Sequence, residues 1–211
     1  MINDIDETLT RLLRHSLPRE WVDQVQISFA APDNQFPPQS VVLPAIDLFL
    51  YDVRENLELR SNEFYIERRL EDGKARRKLA PVRVDFSYLI TAWPSESVSD
   101  PWEDEHRLLG EVMRALLRFR TIPAAMLQGV LAQQEPALPV SSLQPGRLQS
   151  LGEFWQALGG KPKVALNYTV TASVDLEDSE EWLVAFKEIE VKPMRKAAEP
   201  DADAAPPAPD K

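Results

Sequence analysis

Apolar side chains return every three or four residues at the start of the chain, at Ile5, Leu9, Leu12, Leu13 and Leu17, and stop at Pro18. That spacing predicts one amphipathic helix, and Asp4 with Glu7 has the form of a capping box at its start. After Trp21 the period falls to two: Val25, Ile27 and Phe29 alternate with polar residues and predict a strand that ends at Pro32. Asp33 to Pro44, with Pro37 and Pro38, reads as a loop, and Ile46 to Val53 is apolar on both faces apart from Asp47 and Asp52, the pattern of a central strand. A further strand is predicted from about Phe64 to Leu70, with Asp72-Gly73 as the tight turn and a return strand from near Arg76. The most regular alternation follows. Val82, Val84, Phe86, Tyr88 and Ile90 share one face; Arg83, Asp85, Ser87 and Thr91 share the other.

Asp100, Pro101 and Glu103 combine an N-cap, a proline at the first helical position and a capping-box glutamate. The predicted helix carries Leu108, Leu109, Val112, Leu116 and Phe119 as its buried stripe. Acids fill its first turn and Arg114, Arg118 and Arg120 its end, the polarity that suits the helix dipole. Pro123 predicts a shorter helix bearing Met126, Leu127, Val130 and Leu131, and Pro136 to Pro145 a surface connection. Leu151, Phe154, Trp155 and Leu158 fit another short helix closed by Gly159 and Gly160. Val164 to Val174 then alternates as a long strand with a small, polar second face, and a last strand is expected near Trp182 to Val191. Beyond Pro193 the chain is alanine, proline and aspartate with almost nothing to bury, so residues 194–211 are expected to be a disordered tail behind one domain at 1–193. The expected fold class is α+β, a single mixed and mostly antiparallel sheet packed with a few helices.

Composition narrows what such a domain does. Across 211 residues, 24 Lys and Arg against 34 Asp and Glu leave a formal charge of −10, which opposes nonspecific binding to nucleic acid or anionic lipid. With no cysteine there is no disulfide framework, thiolate metal site or cysteine nucleophile. An acidic N-terminus and the lack of any run near the ~18 apolar residues of a membrane span set the expectation of a soluble protein kept inside the cell.

The residues offer little catalytic chemistry. His15 lies late in the first helix and His106 in a charged first turn, neither in a ligand pattern. Consecutive residues Glu103-Asp104-Glu105-His106 point in different directions on a helix and do not converge on one ion. Gly159-Gly160-Lys161 mimics the end of a phosphate loop, but the preceding glycine at the required offset is missing. There is no G-x-S-x-G, and Glu180-Glu181 read as solvated loop residues. No enzyme activity, cofactor or metal is therefore expected. Two features remain as candidate interface. Arg68, Arg69, Lys74, Arg76, Arg77 and Lys78 put 6 of the 24 basic residues in one predicted hairpin, either as a face for an anionic partner or as solvated charge that discourages edge pairing. Trp93 and Trp102 flank the loop 94–101, either as lids on the core or as interface anchors.

Three blocks carry a family resemblance. The first runs from Pro44 to Asn56 with Leu59-Arg60. The second is Tyr88-Leu89-Ile90-Thr91-Ala92-Trp93 with Glu105-His106-Arg107-Leu108-Leu109-Gly110. The third is Glu153-Phe154-Trp155 to Pro162 with Leu166-Asn167-Tyr168 and Val170 to Val174. Together, over about residues 2–192, they resemble the amino-terminal domain of the cap protein of the Photorhabdus virulence cassette, a relative by role of contractile phage tail terminators.

The resemblance implies a bacterial, cytoplasmically assembled structural protein. It implies a homo-oligomeric ring, a hexamer, that terminates the sheath and inner tube of a phage tail-like contractile injection system and stabilises its extended state. Its implied partners are itself, sheath and tube, with no nucleic acid and no membrane insertion; since the chain ends soon after the fold, membrane attachment would need another protein. Long strands with exposed edges are expected to let neighbours add strands, and head-to-tail contacts to close the ring. The rival readings are a baseplate or tube-associated adaptor of the same particle and an enzyme whose site forms between subunits.

Overall fold

The computed structural model describes residues 1–61, 64–69, 74–134, 138–144, 150–176 and 179–183, the last strand and residues 64–69 and 74–79 by their backbone. The described residues contain four helices, α1 (Ile2–Ser16), α2 (Arg19–Val22), α3 (Pro101–Leu117) and α4 (Leu151–Ala157). Eight strands accompany them: β1 (Gln26–Ser28), β2 (Ala45–Glu55), β3 (Phe64–Arg69), β4 (Lys74–Leu79), β5 (Val82–Trp93), β6 (Val140–Ser142), β7 (Leu166–Val174) and β8 (Ser179–Leu183). Five of them form a mixed sheet in the order β1-β2-β5-β7-β6, parallel only between β1 and β2. The architecture is the α+β class that the alternating and helical periods predict.

One face of this sheet carries the core. Ile46 and Leu48 from β2, Phe86, Tyr88, Ile90 and Ala92 from β5, and Tyr168, Val170 and Ala172 from β7 pack with the buried stripes of α1 (Ile5, Leu9, Leu12, Leu13) and α3 (Leu108, Leu109, Val112, Leu116). The Tyr88 hydroxyl donates to Asp6 Oδ1 at 2.8 Å, so the one polar group this tyrosine brings inside is satisfied by the helix above it.

The opposite face is covered in part by α4, whose Phe154 ring lies 6.2 Å from Phe49 and 6.3 Å from Tyr51. This is why Ile46 to Val53 reads as apolar on both faces. A bulge completes the explanation: Leu50 pairs with Tyr88 and Asp52 with Ser87, leaving Tyr51 as the extra residue. Beyond it the alternation of β2 inverts, so that Val53 pairs with Phe86 on the core side while Asp52 and Arg54 join Ser87 and Asp85 on the other.

Several sequence expectations change. The hairpin β3–β4 does not join the main sheet; with β8 it makes a separate antiparallel sheet of order β3-β4-β8, which puts Glu180 and Glu181 on a strand rather than a loop. Of the long strands β5 is paired along both sides, by β2 and β7, whereas the three-residue β1 covers β2 only at Ala45–Asp47 and the three-residue β6 covers β7 only at Tyr168–Val170. The helix predicted after Pro123 is instead two 3-10 turns, Ala124–Met126 and Gly129–Gln133. Gly129 adopts φ +53° between them, and the Gln128 side chain donates to the Met126 and Leu127 carbonyls, which stops the helix.

The stretch from Pro136 to Pro145 contains β6. This strand pairs with β7 on one side, and Val140 N–H donates to Arg120 C=O on the other. Neither predicted capping box forms: α1 begins before Asp4, and the Asp100 side chain makes no capping bond, so Pro101 and the backbone set the start of α3. The Asp72-Gly73 turn, the continuation of the last strand to Val191 and the tail at 194–211 lie outside the described residues.

Candidate interaction surfaces

Helix α3 buries one stripe, yet its apolar arc is wider than that stripe. At roughly 100° per residue, Trp102, His106, Met113 and Leu117 fall along one flank beside it, with Gly110 between them facing open space. Trp102 is 63% exposed and Leu117 52%, while Met113 is at the margin of exposure. The Trp102 ring stands edge-on to His106 at 6.2 Å. The charged arc beyond this flank holds Arg107, Arg114 and Arg118. Arg114 pairs with Glu111 at 2.7 Å, and Arg107 lies near Asp104 and 5.7 Å from the centre of the Trp21 ring. Arg118 makes no ion pair among the described residues.

Trp93 sits differently. Its ring packs on Phe36 at 4.2 Å, Lys163 Nζ lies 4.5 Å from its centre, and its Nε1–H donates to Thr91 Oγ1 at 2.9 Å. Lys163 is in turn held by Glu105 at 2.5 Å. The two tryptophans that flank one loop in sequence therefore meet opposite surroundings, one packed among side chains and one open to solvent.

The basic cluster is divided between β3 (Arg68, Arg69) and β4 (Lys74, Arg76, Arg77, Lys78). Register puts Arg76 between Glu67 and Glu181, and Arg77 opposite Glu180, so acidic positions flank its centre on both sides. Arg69 is opposite Lys74, leaving like charges together only at the turn end.

A feature that sequence reasoning passed over lies at the end of β2. Asn56 opens a 3-10 turn, Leu57–Leu59, and ties it down: its Oδ1 accepts the Leu59 N–H at 3.1 Å, while its Nδ2 donates to both Asp85 oxygens at 3.1 and 3.2 Å. Asp85 is buried and also accepts from the Thr171 hydroxyl at 2.7 Å. This anchored turn presents Leu57 at 69% and Leu59 at 48% exposure, with Glu58 between them making no ion pair among the described residues. No sequence signal marks it, because Leu57 and Leu59 keep the two-residue spacing of a strand.

The buried titratable groups are structural. Asp47, on β2, is fully buried; its polar surroundings are the Ser28 hydroxyl and the Ala30 N–H, but neither carboxyl oxygen makes a hydrogen bond of normal geometry, and the Ala30 N–H is given to Ser28 Oγ instead. Burial pushes its pKa up to about 7, against a smaller downward pull from Ser28 and Ala30. Burial also raises Asp6, which the Tyr88 hydroxyl partly offsets, and raises both Tyr88 and Tyr168. Arg83 is lowered by burial, with Asp85 opposing, and donates to Ser173.

Among the described residues no group of three or more His, Asp or Glu is placed to hold a metal, and no helix is long and apolar enough to cross a membrane. A groove of about 550 Å³ runs along the polar side of α1 past Asp6, Arg11, Arg14 and Phe29, with no nucleophile–base pair in it.

Residues 4–183 match the family model described as the Pvc16 N-terminal domain. Among solved structures, the chain is similar to the PVC sheath/tube terminator of an extracellular contractile injection system in its extended state, at 26% identity and a TM-score of 0.65, over 94% of this chain and 65% of that one. It is also similar to the tube-terminating cap of the anti-feeding prophage, at 26% identity and a TM-score of 0.57, over 94% of this chain and 61% of that one. The chain thus spans just under two thirds of the length of each. No curated protein matches.

Proposed function

Because the chain belongs to the Pvc16 N-terminal domain family, we propose that it is a non-catalytic cap that terminates the sheath and inner tube of a contractile injection system. The observation that carries this reading is the likeness of nearly the whole chain to a sheath/tube terminator. The residues support it independently: the buried Asp85 and Tyr88 spend their polar groups on holding elements together, and exposed apolar side chains sit on ordered elements, as a docking part requires.

The proposed cap is a closed homo-oligomeric ring, a hexamer, seated on the last layer of sheath and tube. It acts by occupancy: once the terminal contacts are filled no further subunit can add, and the extended sheath stays fastened to the tube. The energy of contraction is stored in the sheath, and the ring raises the barrier to premature release. Assembly takes place in the bacterial cytoplasm. In this reading the basic hairpin (Arg68, Arg69, Lys74, Arg76, Arg77, Lys78) and the exposed Trp102 are contact surfaces, and Trp93 braces the loop between them and the core.

The test is electron microscopy of particles made with and without this chain, together with a label on the chain. Termination predicts overlong or frayed tubes in its absence and the label at the end far from the baseplate. Particles of normal length with an intact distal end, or a label at the baseplate, would overturn the cap in favour of an adaptor.

A further inference from the structure

A ring built from identical copies needs two different faces on each copy that fit one another, and the chain carries two exposed apolar faces with opposite charge beside them. We propose that the Leu57–Leu59 turn of one copy docks on the C-terminal part of the exposed α3 flank of the next, Leu57 and Leu59 against Met113 and Leu117, with Glu58 facing Arg118. This inference rests on the cap reading and assigns its subunit contact.

Three observations favour a second copy as the occupant. The apolar side chains on both faces are aligned on ordered elements. Met113 and Leu117 stand one helical turn apart on the flank, a span that two leucines bracketing one acid on a single turn can match. The turn is preorganised, because Asn56 bridges it to the buried carboxylate of Asp85, which Thr171 also holds, so little freedom is left to lose when it docks. The charges are complementary where it matters. Arg60 pairs with Glu55, Arg54 with Asp52 and Arg114 with Glu111, whereas Glu58 on the turn and Arg118 at the end of α3 make no ion pair among the described residues and are of opposite sign.

The two faces are distinct, so the contact is head-to-tail and can close into a ring. A twofold pairing of α3 with itself would instead leave Leu57 and Leu59 uncovered and Glu58 without Arg118.

The absence of cysteine makes the contact directly testable. Leu57→Cys and Leu117→Cys are introduced singly and together into the full chain, and disulfide formation under mild oxidation is followed in particles assembled with sheath and tube, with the chain labelled to record its position. Neither single variant should cross-link. A mixture of the two singles should give dimers, and the double variant a ladder of higher species.

In the same background, Glu58→Arg and Arg118→Glu should each lower the cross-linked fraction severalfold, and the pair together should restore it. All these sites are exposed, and thermal melts of each variant verify that it is folded. Cross-linking by Leu117→Cys alone overturns the head-to-tail contact in favour of the twofold one. No mixed cross-link in particles whose distal end carries the label overturns the contact and leaves the cap standing. A label missing from that end overturns the cap itself and this contact with it.

Discussion

Replacing Asp47 with asparagine should make the protein more stable at alkaline pH and progressively less so as the pH falls. Asp47 has no exposed surface and no hydrogen bond of normal geometry to its carboxyl oxygens, so its charged form is opposed by burial. Folding raises its pKa from 3.8 to about 7, and the folded state therefore holds a proton that the unfolded chain releases between those values. Below pH ~4 both states are protonated and there is no penalty. Across the window, stability falls by up to about 1.4 kcal/mol for each pH unit. Above pH ~7 the full cost, ~3 units or about 4 kcal/mol, is present, a large part of the 5–15 kcal/mol typical of a domain.

Asparagine keeps the shape and has no charge at any pH. Its own buried amide adds a cost, but one that does not change with pH, and the other 33 acids are common to both proteins. The measurement is urea unfolding of wild type and Asp47→Asn at pH 4.5, 6, 7 and 8.5. The difference in unfolding free energy should move in favour of asparagine by roughly 3–4 kcal/mol across that range. A difference that stays constant, or moves the other way, would show that the carboxylate is stabilised where it sits.

Asn56→Ala removes three side-chain hydrogen bonds around Asp85 and Leu59 and should cost about 1–3 kcal/mol, with faster amide exchange at Leu59 as the local sign that the turn has come loose. Gly129→Ala would force φ +53° on a residue with a Cβ, placed where the Asp4 carboxylate now lies, and should lower stability by about 1–3 kcal/mol in urea unfolding; trimming Asp4 to alanine in the same chain relieves the clash but not the backbone strain. Ser150 Oγ accepts the Glu153 N–H at the start of α4, so Ser150→Ala should cost about 1 kcal/mol of unfolding free energy in urea and Ser150→Asp should recover it.

The elements whose residues bury one clean stripe were legible in the sequence. The 3.6-residue period of Leu9, Leu12 and Leu13 and the two-residue period of Val84 to Ile90 each admit one structure, and α1 and β5 follow them. Capping was misread because Asp4 and Asp100 have the right identity and offset, but local pattern does not fix where a side-chain oxygen points. The segment after Pro123 failed for a different reason. Met126, Leu127, Val130 and Leu131 have helical spacing, but a left-handed glycine and a glutamine that bonds back to its own neighbours are decided by contact with α1, as the bond from Gln128 N–H to Thr8 Oγ1 shows.

Of the candidate surfaces, the sequence marks the charged and aromatic residues by their rarity but cannot separate Trp93 from Trp102. That separation comes from Phe36 and Lys163, which are distant in the chain. Leu57 and Leu59 were invisible as a surface because an exposed leucine has the same letter as a buried one.

The three-residue borders of the main sheet have a consequence for how the chain chooses company. A strand edge is read through peptide groups, which every polypeptide shares, so an open edge of eleven or twelve residues would accept almost any extended stranger. Here β5 is closed off on both sides, β1 covers the start of β2, and the outer rim of β6 is already engaged where Val140 N–H meets the Arg120 carbonyl. Along β5 discrimination is thereby handed to side chains, whose shape and charge differ from one protein to the next.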